Sequence, residues 1–137
     1  MKHRVAKILS FSYGHRLVNY DGLCKNLHGH NARVEIELEA DVLNKLGMVV
    51  DFVEIKEKLK NWIDENLDHR MLINKSDPWL ATLQKLDPSV KAVPFNPTAE
   101  NLAQLILEKG REMGLAVGLV RFWETESSNA VYEAGQG

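Results

Sequence analysis

The sequence predicts an α+β fold in which a four-stranded antiparallel sheet carries two helices on one face, in the chain order β-β-α-α-β-β. Three patterns predict it. From His28 the even positions read His28, His30, Ala32, Val34, Ile36, Leu38 and Ala40, while the odd positions from Arg33 carry Arg33, Glu35, Glu37 and Glu39. That period of two belongs to a half-buried strand. Two stretches, 52–66 and 99–113, repeat apolar residues at helical spacing behind an N-cap residue. The C-terminal part has strand-like segments on both sides of Glu126-Ser127-Ser128, as a hairpin does.

The elements follow in order. Residues 4–12 are rich in strand formers and form the first strand, and 13–27 is a loop holding Gly14, Asn19, Asp21, Gly22 and Asn26. The second strand spans roughly 28–41, with Gly47-Met48-Val49-Val50 extending or returning the sheet. Asp51 caps the first helix, with Glu54 three residues on, and Ile55, Leu59, Trp62, Ile63 and Leu67 face inward. Its outer face carries Glu54, Lys56, Glu57, Lys58 and Lys60, including a Glu54/Lys58 pair at i, i+4, and is a solvated surface. Residues 75–97 hold all four prolines and read as an irregular excursion with one short helical turn near 79–83. Thr98 caps the second helix, whose inward residues are Leu102, Leu105, Ile106 and Met113 and which Gly114 terminates. The last strands are 116–125 and 129–133.

Composition narrows the class. With 137 residues, 45% hydrophobic and 26% charged, the chain fits a single domain, 1–137, that buries roughly two-thirds of its unfolded surface. A net charge of −2 with interspersed signs argues against nucleic-acid binding by phosphate neutralisation. One cysteine forms no internal disulfide, and Met1-Lys2-His3-Arg4 leads into an alternating segment rather than an apolar run. Neither secretion nor membrane insertion is indicated, so the expectation is a cytoplasmic protein with a small-molecule ligand.

The chemistry concentrates in Cys24-Lys25-Asn26-Leu27-His28-Gly29-His30. Residues two apart on a strand point the same way, so His28 and His30 emerge together on the apolar face. His15 supplies a third imidazole if the first two strands lie side by side, and three histidines with an open position suit catalytic zinc. Two jobs are open to Cys24. As a fourth ligand it closes the site and makes the metal structural; as a free thiol beside a cation it is a base or nucleophile. Asp68-His69, at a helix end, is either a cap with a surface histidine or an acid–base pair. Glu124 shares parity with Val120 and Phe122, which sets a carboxylate on an apolar face where it needs a partner, unless the strand frays there.

His15-Arg16-Leu17, Cys24-x-x-x-His28-Gly29-His30, Gly47-Met48-Val49-Val50-Asp51-Phe52, Leu67-Asp68-His69, Pro97-Thr98-Ala99-Glu100 and Glu124-Thr125 together resemble the 6-pyruvoyl-tetrahydropterin synthase family, in order and across nearly the whole chain. The cysteine four residues before His-Gly-His resembles the 6-carboxy-5,6,7,8-tetrahydropterin synthase branch of queuosine and 7-deazapurine synthesis. The resemblance implies a tunnelling fold, three subunits closing a barrel and two trimers stacking into a homohexamer. It implies Zn2+ held by His15, His28 and His30, Cys24 as the proton-abstracting thiolate, and Asp68 and His69 as a relay from a neighbouring subunit. It also implies Glu124 as the anchor of the pterin's guanidine-like edge and Thr98 as a further pterin contact. The implied activity is a zinc-dependent lyase acting on 7,8-dihydroneopterin triphosphate, giving 6-carboxytetrahydropterin with release of acetaldehyde and triphosphate. The rival within the family is the pyruvoyl product; the rival outside it is a non-catalytic zinc-stabilised interaction domain with Cys24 as fourth ligand. Arg16 and Lys25 are the cations nearest in sequence for the triphosphate, and the segment from Lys75 to Asn96 is longer than in short bacterial members.

Overall fold

In the computed structural model, which describes residues 1–135, the sheet grows outward from one long hairpin. Strands β1 (His3–His15) and β2 (His28–Ala40) pair antiparallel over their full length, from His3 opposite Ala40 to His15 opposite His28. Alternation along β2 dictates which face is buried: Ala32, Val34, Ile36 and Leu38 point inward, with Leu9, Phe11 and Tyr13 of β1 beside them. Strand β5 (Val117–Trp123) adds antiparallel to β2, with an irregularity between Glu37 and Leu38, and β6 (Asn129–Glu133) pairs with β5.

The other side of β1 corrects the expected strand count and the all-antiparallel pairing. Strand β3 (Arg70–Asn74) lies parallel to β1, and β4 (Lys91–Val93) lies parallel to β3, giving the six-stranded order β4-β3-β1-β2-β5-β6. A parallel neighbour needs a crossover, and the short helix α3 (Leu80–Leu86) supplies it between β3 and β4. The prolines that made 75–97 read as irregular sit at boundaries: Pro78 ahead of α3, Pro88 behind it, Pro94 after β4 and Pro97 ahead of the last helix. Three further boundaries move. β1 continues through Gly14 to His15, so the loop begins later than residue 13. Residues 41–50 form no strand; Asn44 ties them into a turn, its Oδ1 accepting the N–H groups of Leu46 and Met48. Strand β5 ends at Trp123, one residue short of Glu124.

One face of the sheet is covered by two helical rods. The first runs through α1 (Phe52–Ile55), a π-helical turn (Lys56–Lys60) and α2 (Asn61–Asn66), and Asp51 caps it by accepting the Val53 N–H at 2.9 Å. Lys58 reaches Glu54 at 2.7 Å, as the spacing predicts. The second, α4 (Ala99–Glu112), starts at Thr98, whose Oγ1 accepts the Asn101 N–H, and ends at Gly114 with φ +86°. Ile55, Leu59, Ile63, Leu102, Ala103 and Ile106 pack against Val34, Ile36, Val120 and Phe122 as one core; Trp62, Leu105 and Met113 are only partly buried at its margin. Gly110 lets α4 approach the sheet closely, since a Cβ there would stand 2.7 Å from Val117 Cγ2.

Candidate metal centre and active site

The hairpin register brings the three histidines together. His15 is the last residue of β1 and lies opposite His28, the first of β2, and His30 follows two residues on along the same face. The loop between them starts and ends at the same end of the sheet, so residues 13 apart in sequence become neighbours. One ligand nitrogen from each of His15, His28 and His30 lies within 4.8 Å of the others, and His15 Nε2 stands 3.1 Å from His30 Nε2. His15 is buried, with 2% of its surface exposed, while His28 and His30 are partly open.

Neighbouring carbonyls fix the tautomers of two rings. His15 Nδ1 is 2.6 Å from the carbonyl oxygen of Pro97, and His28 Nδ1 is 2.7 Å from that of Asn26. A carbonyl only accepts, so both Nδ1 atoms carry hydrogen and donate it. In the neutral rings Nε2 therefore presents a lone pair. Burial holds His30 below the ordinary histidine pKa, with Glu124 opposing and the other two imidazoles adding to the shift. Glu124 extends the cluster. Its Oε1 lies 3.2 Å from His15 Nε2 and 3.1 Å from His30 Nε2, and Tyr13 Oη donates to it at 3.5 Å. Contact with His15 and the charges of the neighbouring imidazoles outweigh burial and hold its carboxyl below the usual range. Tyr13 is packed edge-on against His15, and burial beside Glu124 pushes its phenol far up, so it stays a neutral donor.

Imidazole lone pairs and a carboxylate converging this closely repel one another unless a positive charge lies among them. A proton can supply it. So can a divalent cation, and three neutral imidazoles are a donor set that zinc accepts. On the chemistry of its donors the cluster fits the metal that the sequence led us to expect.

Asp68 and His69 border the same region. Asp68 Oδ1 accepts the N–H of Ser12 at 3.0 Å, and its Oδ2 lies 2.9 Å from His69 Nδ1. His69 adopts a left-handed backbone (φ +58°), held by its N–H donating to Ser12 O at 2.7 Å, and its side chain is 81% exposed. His28, His30 and His69 all line a cleft of about 480 Å³ floored by Gly14 and Gly29. Of the two, His69 lines this cleft together with His28 and His30 of its own chain, while Asp68, His15 and Glu124 do not; the resemblance implies an acid–base pair contributed by a neighbouring subunit. Cys24 sits in a 3-10 turn (Leu23–Lys25) on the loop joining the histidine-bearing strand ends, half-buried, with its carbonyl accepting the Leu17 N–H. Its sulfur is not among the mutually close ligand atoms, which are those of the three histidines. Thr98 caps α4 and does not line the cleft. Lys25 is exposed. Arg16 is buried against Asp77 at 2.7 Å with Trp79 over its guanidinium, so it is already engaged and not a free cation for phosphate. Tyr13, inside the stretch that its turn-favouring neighbour Gly14 makes read as loop, belongs to β1 and joins the site through Glu124; its parity with His15 is the sequence signal for it.

The family model described as 6-pyruvoyl tetrahydropterin synthase matches residues 4–135. Among curated proteins, the chain is 34% identical over 138 residues to 6-carboxy-5,6,7,8-tetrahydropterin synthase of Haemophilus influenzae, covering 95% of this chain and 98% of that one. It is 32% identical over 161 residues to the protein of the same name from Aquifex aeolicus, covering 97% and 99%. Among solved structures, a Wolinella succinogenes protein superposes with a TM-score of 0.84 at 28% identity, covering 98% and 99%. Caenorhabditis elegans 6-pyruvoyl tetrahydropterin synthase shares the fold with a TM-score of 0.73 at 24% identity, covering 98% and 97%.

Proposed function

Because the chain belongs to the 6-pyruvoyl tetrahydropterin synthase family, we propose that it is a zinc-dependent 6-carboxy-5,6,7,8-tetrahydropterin synthase. In this reading it converts 7,8-dihydroneopterin triphosphate and one water to 6-carboxytetrahydropterin, acetaldehyde and triphosphate, on the route to queuosine and other 7-deazapurines. The observation that carries it is the convergence of His15, His28 and His30 beside the Glu124 carboxylate. The curated relatives named above support the carboxy product over the pyruvoyl one.

His15, His28 and His30 would hold the zinc. When bound, the ion polarises the oxygens of the substrate's side-chain diol, making the adjacent C–H more acidic. Cys24, as the thiolate, removes a proton from that carbon. His69, oriented through Nδ1 by Asp68, returns one on another face. Glu124 fixes the pterin by accepting two parallel N–H bonds from its guanidine-like edge, with charge-assisted strength. Tyr13 keeps that carboxylate aimed from behind. The Thr98 hydroxyl, whose oxygen already accepts from Asn101, retains a proton to donate to the ligand. The working form is a cytoplasmic homohexamer of two stacked trimers.

The direct test is to incubate the purified protein with 7,8-dihydroneopterin triphosphate and weigh the pterin product by mass spectrometry. 6-Carboxytetrahydropterin with one equivalent of acetaldehyde is expected; the pyruvoyl product, or no conversion, would overturn the assignment. Cys24→Ala separates the enzyme from a zinc-stabilised interaction domain. It should retain one zinc per chain and its melting temperature while turnover falls by at least 100-fold, in keeping with the loss of a positioned proton acceptor.

A further inference from the structure

The segment between β3 and α4, for which the sequence suggests no role, meets the end of β1 at three successive points. His15 closes β1, and past it the chain leaves the sheet, so nothing in the ladder holds residues 16–18. Asn96 takes over. Its Oδ1 accepts the Val18 N–H at 3.0 Å and its Nδ2 donates to the Val18 carbonyl at 3.0 Å, the pair of bonds a neighbouring strand would make. Asn74 donates to the same Oδ1 at 3.2 Å, and Asn101 of α4 donates to the Asn96 carbonyl at 2.9 Å. Asn96 is thereby fixed to β3, to α4 and to the chain leaving β1.

Next along the chain, Pro97 offers its carbonyl to His15 Nδ1 at 2.6 Å in a buried contact. Its ring sets its own φ and confines Asn96 to extended backbone, and the Thr98 N–H, in the same peptide plane as that carbonyl, donates to the Asn96 carbonyl at 2.8 Å, which fixes the carbonyl's direction. Between these two contacts, Arg16 is gripped by Asp77, whose side chain is fully buried, and stacked on Trp79 at 3.6 Å. Asp77 is itself positioned by accepting the Trp79 N–H at 2.9 Å.

We infer that Asn96 is a positioning residue for His15: through Val18 and the Pro97 carbonyl it sets the imidazole's tautomer and direction, with the Arg16–Asp77–Trp79 stack bracing the same strand end. The excursion from 75 to 97 is then a support for the first metal ligand. This rests on the reading of the three histidines as metal ligands.

The test uses the full chain and two readouts that loss of fold stability alone does not move. Zinc affinity is measured by chelator competition, and the ligand field by the visible absorption of the cobalt(II)-substituted protein; melting of the metal-free protein is followed alongside. Asn96→Ala should weaken zinc binding by about 10–100-fold, as loss of an outer-shell partner does, and shift the cobalt bands. Val90→Ala, which removes buried volume from the same segment without touching these bonds, should lower the melting temperature with both metal readouts unchanged. If Asn96→Ala lowers melting alone, with affinity and spectrum as in the unmodified protein, the inference is overturned. If the unmodified protein binds neither metal, the underlying metal reading fails and the inference with it. Should Asn96→Ala not fold, Asn96→Asp, which keeps the size and Oδ1 but replaces the donor to Val18, carries the test on the same terms.

Discussion

Glu124 faces two partners at once, the histidine cluster behind it and the pterin it is proposed to anchor, and its substitution separates them. Glu124→Gln keeps the shape and removes the charge. It should raise KM for the pterin at least tenfold, the order expected for losing a charge-assisted pair, while zinc content stays at one per chain; equal losses of both would contradict the anchor. Asp68 gives a pH signature. Partial burial pushes its carboxyl up, but the Ser12 N–H and His69 outweigh this and leave it below the ordinary value. A depressed folded pKa contributes stability that is full above the unfolded value of about 3.9 and lost as pH falls through the folded one. Asp68→Asn should therefore melt lower than the unmodified protein at pH 6, and the gap should close as pH drops below about 4. At this scale the sequence was legible wherever parity operates: His28 and His30 share a face by spacing, and Glu124 faces the core side although β5 ends one residue before it. Tyr13 was not, because Gly14 favours turns as a residue type yet here continues β1 opposite Gly29, where an added Cβ would stand 3.3 Å from the His28 carbonyl oxygen.

The helices were legible because caps and periodicity agree. Asp51, Thr98 and Gly114 each act as their positions predict. What spacing does not carry is how closely α4 rides on the sheet. Gly110→Ala gains about 1 kcal/mol of helix propensity, yet the new methyl would stand 2.7 Å from a buried, β-branched Val117. Overpacking costs about 1–3 kcal/mol, so the net effect should be a lower melting temperature; a higher one would show that the rod can shift freely. Strands β3 and β4 escaped the sequence reading for a physical reason. Five and three residues are too few to display a period, and parallel partners are buried by crossovers far along the chain, which leave no local turn signal.

Across the molecule, the proposed hexamer decides where the relay acts. His69 is exposed at a cleft that its own chain's His28 and His30 also line, while the family resemblance implies a relay given to a neighbour. Refolding Cys24→Ala and His69→Ala chains together resolves this: if the relay crosses between subunits, mixed oligomers hold some interfaces with both groups intact and activity returns. If it stays within a chain, every site lacks one group and activity does not return. Metal should also matter to the whole fold, since binding to the native state alone stabilises by about 2.7 kcal/mol when free zinc is 100 times its Kd; a chelator should lower the melting temperature accordingly. The central claim is that three imidazoles hold the ion and leave the thiol free to act. Zinc-edge X-ray absorption of the purified protein tests it most directly. The account predicts nitrogen or oxygen scatterers alone, at about 2.0–2.1 Å; a sulfur at about 2.3 Å, or a sample without zinc, would contradict it.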